Sequence, residues 1–211
     1  EGLVNDLAEP ALGRLDFYRQ QAATESLGAA EVYSTECCAA NAGAYGQSWG
    51  DLLSRFNASF MGGVNQVVLH GFGFQDAFGP SWPGWSPFAF QGGNGFSEMM
   101  DPRQPTWQDV PAINAWLTRM QYVLREGTTR VDLAVFHQSL DHHGAGNEGG
   151  VPLGELSAAG YTFDYVSPAH LALENAVVAD GVLAADDAAY RALVLDEQDT
   201  LPLASAQAIL Q

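Results

Sequence analysis

Between Glu31 and Phe74 a strand, a loop, an amphipathic helix and a second strand follow one another, and that order restricts the fold more than any other stretch. Glu31 to Cys37 alternates and then turns apolar, and Glu36 falls just before the loop announced by Asn41, Gly43 and Gly46. A carboxylate is therefore expected at the carboxyl end of a strand. Ser48 is a good N-cap, and Trp49, Leu52, Leu53, Phe56 and Phe60 recur behind it at helical spacing until Gly62 and Gly63 stop the helix. The short β-branched run from Val64 to Leu69 reads as a strand buried on both faces, and it delivers His70 to the same edge as Glu36. The spacing thus predicts one turn of a parallel β/α layer. Ligands of such layers bind at the carboxyl ends of the strands, which makes Glu36 and His70 the candidate catalytic residues.

The rest of the chain must supply a core and a partner. With 211 residues, 47% of them hydrophobic, it has room for one large or two small domains. A formal net charge of −17, from eight arginines and no lysine against 25 acidic residues, argues against a nucleic-acid phosphate partner or an anionic membrane surface. A neutral or cationic ligand fits that charge better. The two cysteines, Cys37 and Cys38, are adjacent, so no long-range disulfide forms within the chain and they read as buried packing residues. No run approaches the ~20 apolar residues of a membrane span and no charged-then-apolar leader opens the chain, so it reads as soluble, with a secreted or periplasmic parent left open. The start at Glu1 without Met and the stop at Gln211 inside an apolar helical pattern read as the cut ends of a longer protein.

In chain order, residues 1–30 are rich in helical signal, with Leu12, Leu15, Phe17 and Tyr18 in a short amphipathic stretch. Gly71 to Asp109 carries Gly, Pro and aromatic residues without clear periodicity, and a loop of that length inside a compact domain is commonly functional or disordered. Trp82, Trp85, Phe88, Phe90 and Trp107 weigh against disorder. Such rings either stack on sugar faces or pack the loop onto the body beneath it. Val110 to Arg125 is a helix whose stripe of Ile113, Trp116, Leu117, Met120, Val123 and Leu124 reads as core, closed by Gly127. Thr129 to Phe136 is a strand, and the Gly-rich loop after it holds Asp141, His142, His143 and Glu148, a set that binds a metal or is simply solvated. Strands at Tyr161–Val166 and Tyr190–Leu195, a hairpin turning at Asp180-Gly181, and helices at Pro168–Glu174 and from Ser205 complete the pattern. A second α/β domain therefore opens near residue 127, and it lacks a dinucleotide-binding G-x-G-x-x-G.

A strand-end Glu beside a rim His, next to an aromatic loop, is compatible with glycoside cleavage, in which one carboxyl group protonates the leaving oxygen and another acts as nucleophile or activates water. Tyr45 and Trp49 behind Glu36, Trp82 and Trp85 in the aromatic loop, and the loop acids Asp76 and Glu98 are the candidate substrate-binding residues. No G-x-S-x-G elbow supports a serine hydrolase.

The segments STECCAANAGAYGQSWGDLL, GGVNQVVLHGFGF, PGWSPF, PRQPTW and RVDLAVFHQS together resemble the catalytic region of glycoside hydrolase family 106, the α-L-rhamnosidase type, particularly its bacterial members. FDYVSPAHL and YRALVL extend the resemblance more weakly. It implies an α/β fold in which residues 1–126 are the C-terminal part of a (β/α)8 barrel with a long aromatic loop at 71–109. Residues 127–211 would begin a flavodoxin-like or amidotransferase-like α/β domain. It further implies a calcium-dependent, inverting enzyme that hydrolyses terminal rhamnosyl linkages, with Glu36 and His70 on the active-site rim. No calcium ligand is matched in this sequence. The earlier barrel strands and the partner carboxylate would lie in missing parts of the parent chain. Two rivals stay open: a β-galactosidase-like retaining glycosidase, and a non-catalytic carbohydrate-binding or scaffold module.

Overall fold

Two units account for residues 11–28, 30–38, 45–71, 100–138, 153–195 and 200–210, which the computed structural model describes. One holds the residues up to Arg14 together with Ser34–Glu126, and the other joins Leu15–Tyr33 to Gly127–Gln211. Parallel strands and helices alternate in both, so the chain is mixed α/β.

The first unit contains β1 (Ser34–Cys37), α2 (Trp49–Met61), β2 (Gln66–Leu69) and α3 (Val110–Arg125); α1 (Ala11–Ser26) precedes it in the chain. Helix α2 begins where the sequence predicts. The Ser48 hydroxyl accepts from the Asp51 backbone N–H at 3.2 Å and the Asp51 carboxylate accepts from the Ser48 N–H at 3.0 Å, a reciprocal capping box. Gly63, at φ +97°, turns the chain into β2 through a left-handed conformation that an L side chain resists. β1 and β2 pair in parallel, Thr35 against Val67, Glu36 against Val68 and Cys37 against Leu69. Cys37, Leu52, Phe56 and Leu117 form one buried core with Val67, Leu69, Ile113 and Trp116 packed against it. Cys38 is buried in the same core, and the sulfurs of Cys37 and Cys38 are bonded to each other.

Two sequence expectations change here. β2 is not buried on both faces, because the helices cover only the face that carries Val67 and Leu69; Val68 is 46% exposed. The apolar stripe of α3 is core only at its centre: Leu117 is buried, Ile113 and Trp116 pack partly, and Val123 is 64% exposed. The strand pair that α3 covers is only two strands wide among the described residues, too narrow for the last turn of the stripe.

The second unit is built on a parallel sheet of order β4-β3-β7, with β3 (Leu133–Phe136) paired to β4 (Phe163–Val166) and to β7 (Ala192–Leu195). Alternation divides its side chains between two layers. Ala134, Phe136 and Val166 pack with Ala23 of α1 and with Leu27 just after it, whereas Val135, Phe163 and Tyr165 pack with Leu156 of α4 (Leu153–Ala158). Residues 15–33, which the sequence reading places with the first 126 residues, therefore belong to this second unit, because the small face of α1 finds its apolar partners on β3 and β4. Gly28 ends that helix, and a Cβ there would run into the Thr24 carbonyl. β7, expected to be buried, is half-exposed and leaves Leu195 46% exposed, since it lies at the sheet's edge among the described residues. α5 (Pro168–Leu171), the hairpin β5 (Val178–Ala179) and β6 (Val182–Leu183), and α6 (Leu203–Ile209) complete the unit. The hairpin turns at Asp180 and Gly181 with φ +52° and +77°, the left-handed pair that the dipeptide predicts. No helix among the described residues is long and apolar enough to cross a membrane.

Candidate active site

Parallel register places the two candidate catalytic residues at one edge. Thr35 and Cys37 are buried on the helix-covered face of β1, so Ser34 and Glu36 occupy the opposite face, as do Gln66 and Val68 on β2. The ladder runs one step beyond the strands, with the His70 N–H donating to the Cys37 carbonyl at 2.8 Å. His70 thus closes the carboxyl end of β2 beside the end of β1 that carries Glu36. Both side chains are half-buried. Within the described residues the Glu36 carboxylate accepts no hydrogen bond and joins no ion pair, and the parallel pairing of the strand fixes its direction.

The loop at 100–106 lies against this edge. Met100 N–H donates to the Gly71 carbonyl at 3.1 Å, and the indole N–H of Trp49 donates to the Thr106 carbonyl at 3.3 Å. Between those anchors Asp101, wholly buried, receives the Arg103 backbone N–H at 2.7 Å and Nε–H at 3.2 Å on one oxygen. Its other oxygen receives Arg103 Nη2 at 3.0 Å and the Tyr45 hydroxyl at 2.9 Å. Burial, followed by the hydrogen bond and charge of Asp101, pushes the Tyr45 phenol well above its ordinary value, so the ring stays protonated and donating. Tyr45 itself sits at φ +60°, a left-handed backbone that costs a non-glycine residue roughly 1–2 kcal/mol. The Asp101 bond helps to hold it there. Gln47 Nε2–H donates to the Cys38 carbonyl at 2.7 Å, tying the segment after β1 to the strand's end. Gln104, also buried and in this loop, has no hydrogen-bond partner for its Oε1 among the described residues.

Of the candidate site residues, Glu36 and His70 share the carboxyl edge of the strand pair, whereas Tyr45 and Trp49 follow β1 and are tied to the 100–106 loop through Asp101 and Thr106. The Trp49 ring packs partly on the core, and its N–H is engaged by the Thr106 carbonyl. Asp76, Trp82, Trp85 and Glu98 lie outside the described residues, as do Asp141, His142, His143 and Glu148. Asp101, Arg103 and Gln104 were not singled out in the sequence. The signal that finds Asp101 is the Asp-Pro dipeptide, which favours a turn in which the carboxylate accepts the N–H two residues on. No three His, Cys, Asp or Glu side chains among the described residues converge to hold a metal, and Asp101 is already engaged by Arg103 and Tyr45.

Comparison with known proteins gives two matches of different reach. Residues 12–211 match the family model for alpha-L-rhamnosidase, glycoside hydrolase family 106. A solved rhamnosidase from Novosphingobium sp. PP1Y superposes with a TM-score of 0.69 at 17% sequence identity, over 98% of this chain and 19% of that one. The chain therefore spans about a fifth of the length of that structure, and at this identity the likeness concerns the fold. No curated protein matches the chain.

Proposed function

Because the chain belongs to the alpha-L-rhamnosidase family, glycoside hydrolase family 106, we propose that it is part of a glycosidase that hydrolyses terminal rhamnosyl linkages with inversion. The observation that carries this reading is the placement of Glu36: a strand-end carboxylate on the face away from the helices, beside His70, with no partner among the described residues. In an inverting reaction one carboxylate removes a proton from a water that attacks the anomeric carbon, while a second carboxyl group, across the sugar, protonates the leaving oxygen. Glu36 takes the first role here. The second belongs to a carboxyl group elsewhere in the parent protein.

His70 binds a sugar hydroxyl at the rim, and Tyr45, Trp49, Trp82 and Trp85 form an apolar wall for the ring, with Asp76 and Glu98 orienting it. β1, α2 and β2 are read as one repeat of a (β/α)8 barrel, and residues 127–211 as the start of a flavodoxin-like domain. The parallel pairing around one intervening helix supports the first, and the parallel sheet layered by α1 and α4 the second. Calcium, where the parent enzyme uses it, is held by ligands other than those described above.

The test is made on the full-length protein with 4-nitrophenyl α-L-rhamnopyranoside. Release of rhamnose whose first-formed anomer is inverted, followed by proton NMR, is the expected result. Retention would favour a closely spaced nucleophile and acid, about 5–5.5 Å apart instead of about 6.5–9.5 Å. No release would leave a carbohydrate-binding module.

A further inference from the structure

Resting on that glycosidase reading, we propose that Asp101 is a positioning residue that sets the ring of Tyr45 into the sugar-binding wall. Asp101 is wholly buried and accepts four hydrogen bonds, three from Arg103 and one, at 2.9 Å, from the Tyr45 hydroxyl. Charge-assisted bonds of this kind are short and strong, and a carboxylate that makes four of them has one orientation available. Its loop is fixed to the rim at both ends, through Met100 to Gly71 beside His70 and through Thr106 to Trp49. Tyr45 is therefore held at its tip by a rigid group, while its backbone takes the left-handed turn at φ +60°.

That arrangement determines what Tyr45 offers. Its hydroxyl is committed to Asp101 and stays protonated, so the ligand meets the ring face and not a free donor. An aromatic face pinned by its own hydroxyl can receive the apolar face of a sugar without first being ordered by it. Asp101 touches no substrate in this scheme. It acts through Tyr45, and Arg103 pairs with its carboxylate at 3.0 Å and holds it in place.

The experiment uses the full-length enzyme and 4-nitrophenyl α-L-rhamnopyranoside, with Tyr45→Phe, Asp101→Asn and the double variant, each checked for its melting temperature. Loss of the tip contact leaves the ring to be ordered on binding, so each single variant is expected to raise KM by about three- to tenfold and to leave kcat within about twofold. Because both break the same link, the double variant should be no worse than the weaker single variant. Tyr45→Phe keeps the ring and the core, and it carries the test by itself if Asp101→Asn does not fold. An unchanged KM in folded Tyr45→Phe, strictly additive effects in the double variant, or a change confined to melting temperature would overturn the role given to Asp101. A wild-type enzyme that releases no 4-nitrophenol would instead overturn the glycosidase reading beneath it.

Discussion

The phenol of Tyr190 donates to the buried carboxylate of Asp164 at 3.0 Å, and the hydroxyl of Ser26 donates to the same oxygen. Three segments of the second unit, α1, β4 and the entry to β7, meet on that one oxygen. Asp164 is 5% exposed, and burial pushes its carboxyl above the usual range; the bonds from Ser26 and Tyr190 and the charge of Arg19 pull the other way more weakly. Glu25, also raised by burial, adds a second acidic neighbour from α1.

A carboxyl raised in the folded state binds its proton more tightly there than in the unfolded chain. Its contribution to stability is full below the unfolded value and is lost as pH rises through the folded one. Asp164→Asn stays neutral at every pH and can still accept from both hydroxyls. Relative to wild type, this variant is expected to gain more protection at pH 8 than at pH 4. Amide hydrogen exchange over residues 15–27, corrected for intrinsic rates, reads the difference. A gain that is the same at both pH values would show that the charge of Asp164 is not felt by the fold.

How much of this was readable in advance follows the distance over which each feature is decided. Helix α2 is determined within the sixteen residues from Ser48 to Gly63, by Ser48 and Asp51 at one end and Gly62 and Gly63 at the other, and sequence and structure agree on it. Glu36 and His70 share an edge because one short strand–helix–strand unit fixes both strand ends, which pattern reading handles well. The side of the chain on which α1 packs depends instead on Ala23 and Leu27 meeting Phe136 and Val166, more than a hundred positions away, and nothing local in α1 points there. Asp101 was invisible for the same reason: its partner Tyr45 is 56 positions earlier, and an Asp before Pro looks like an ordinary turn. Asp164 sits in FDYV, where alternation suggests a polar face turned to solvent; it points instead to Ser26 and Tyr190.

The capping box offers a direct check on local stability. Ser48→Ala removes the hydroxyl that accepts the Asp51 N–H, and loss of such a cap typically costs about 1 kcal/mol. Asp51 is held below the usual carboxylate range by its bonds from Ser48, so the stability it contributes is present above the unfolded value and fades as pH falls through the folded one. The penalty of Ser48→Ala, measured as a shift in urea midpoint at constant m, should therefore be larger at pH 7 than at pH 3. Equal penalties would mean that the serine caps without its partner.

Trp82 and Trp85 test the proposed wall from the aromatic segment. Replacing both by Ala in the full-length enzyme should raise KM for an aryl rhamnoside several-fold while kcat changes little, because stacking contributes about equally to the bound sugar and to its transition state. An unchanged KM with a lowered melting temperature would assign both rings to packing.

Glu36→Gln is the variant that decides the chemistry. The strand pair fixes the direction of residue 36, through the register of Glu36 against Val68 and the His70 bond to the Cys37 carbonyl, so an isosteric amide should leave the backbone of the rim undisturbed. No described neighbour donates to the Glu36 carboxylate or pairs with it, so removing its charge breaks no described ion pair, and the cost in stability should stay within about 0.5 kcal/mol, the usual range for a side chain without such partners. Removal of a general base, by contrast, lowers turnover by about 10²–10⁴-fold. The expected result in the full-length enzyme is an unchanged melting temperature, an unchanged affinity for rhamnose by calorimetry, and kcat reduced by at least about a hundredfold. Near-wild-type turnover in a well-folded Glu36→Gln enzyme would remove Glu36 from the mechanism. Recovery of much of the lost activity on adding calcium would instead make it a metal ligand.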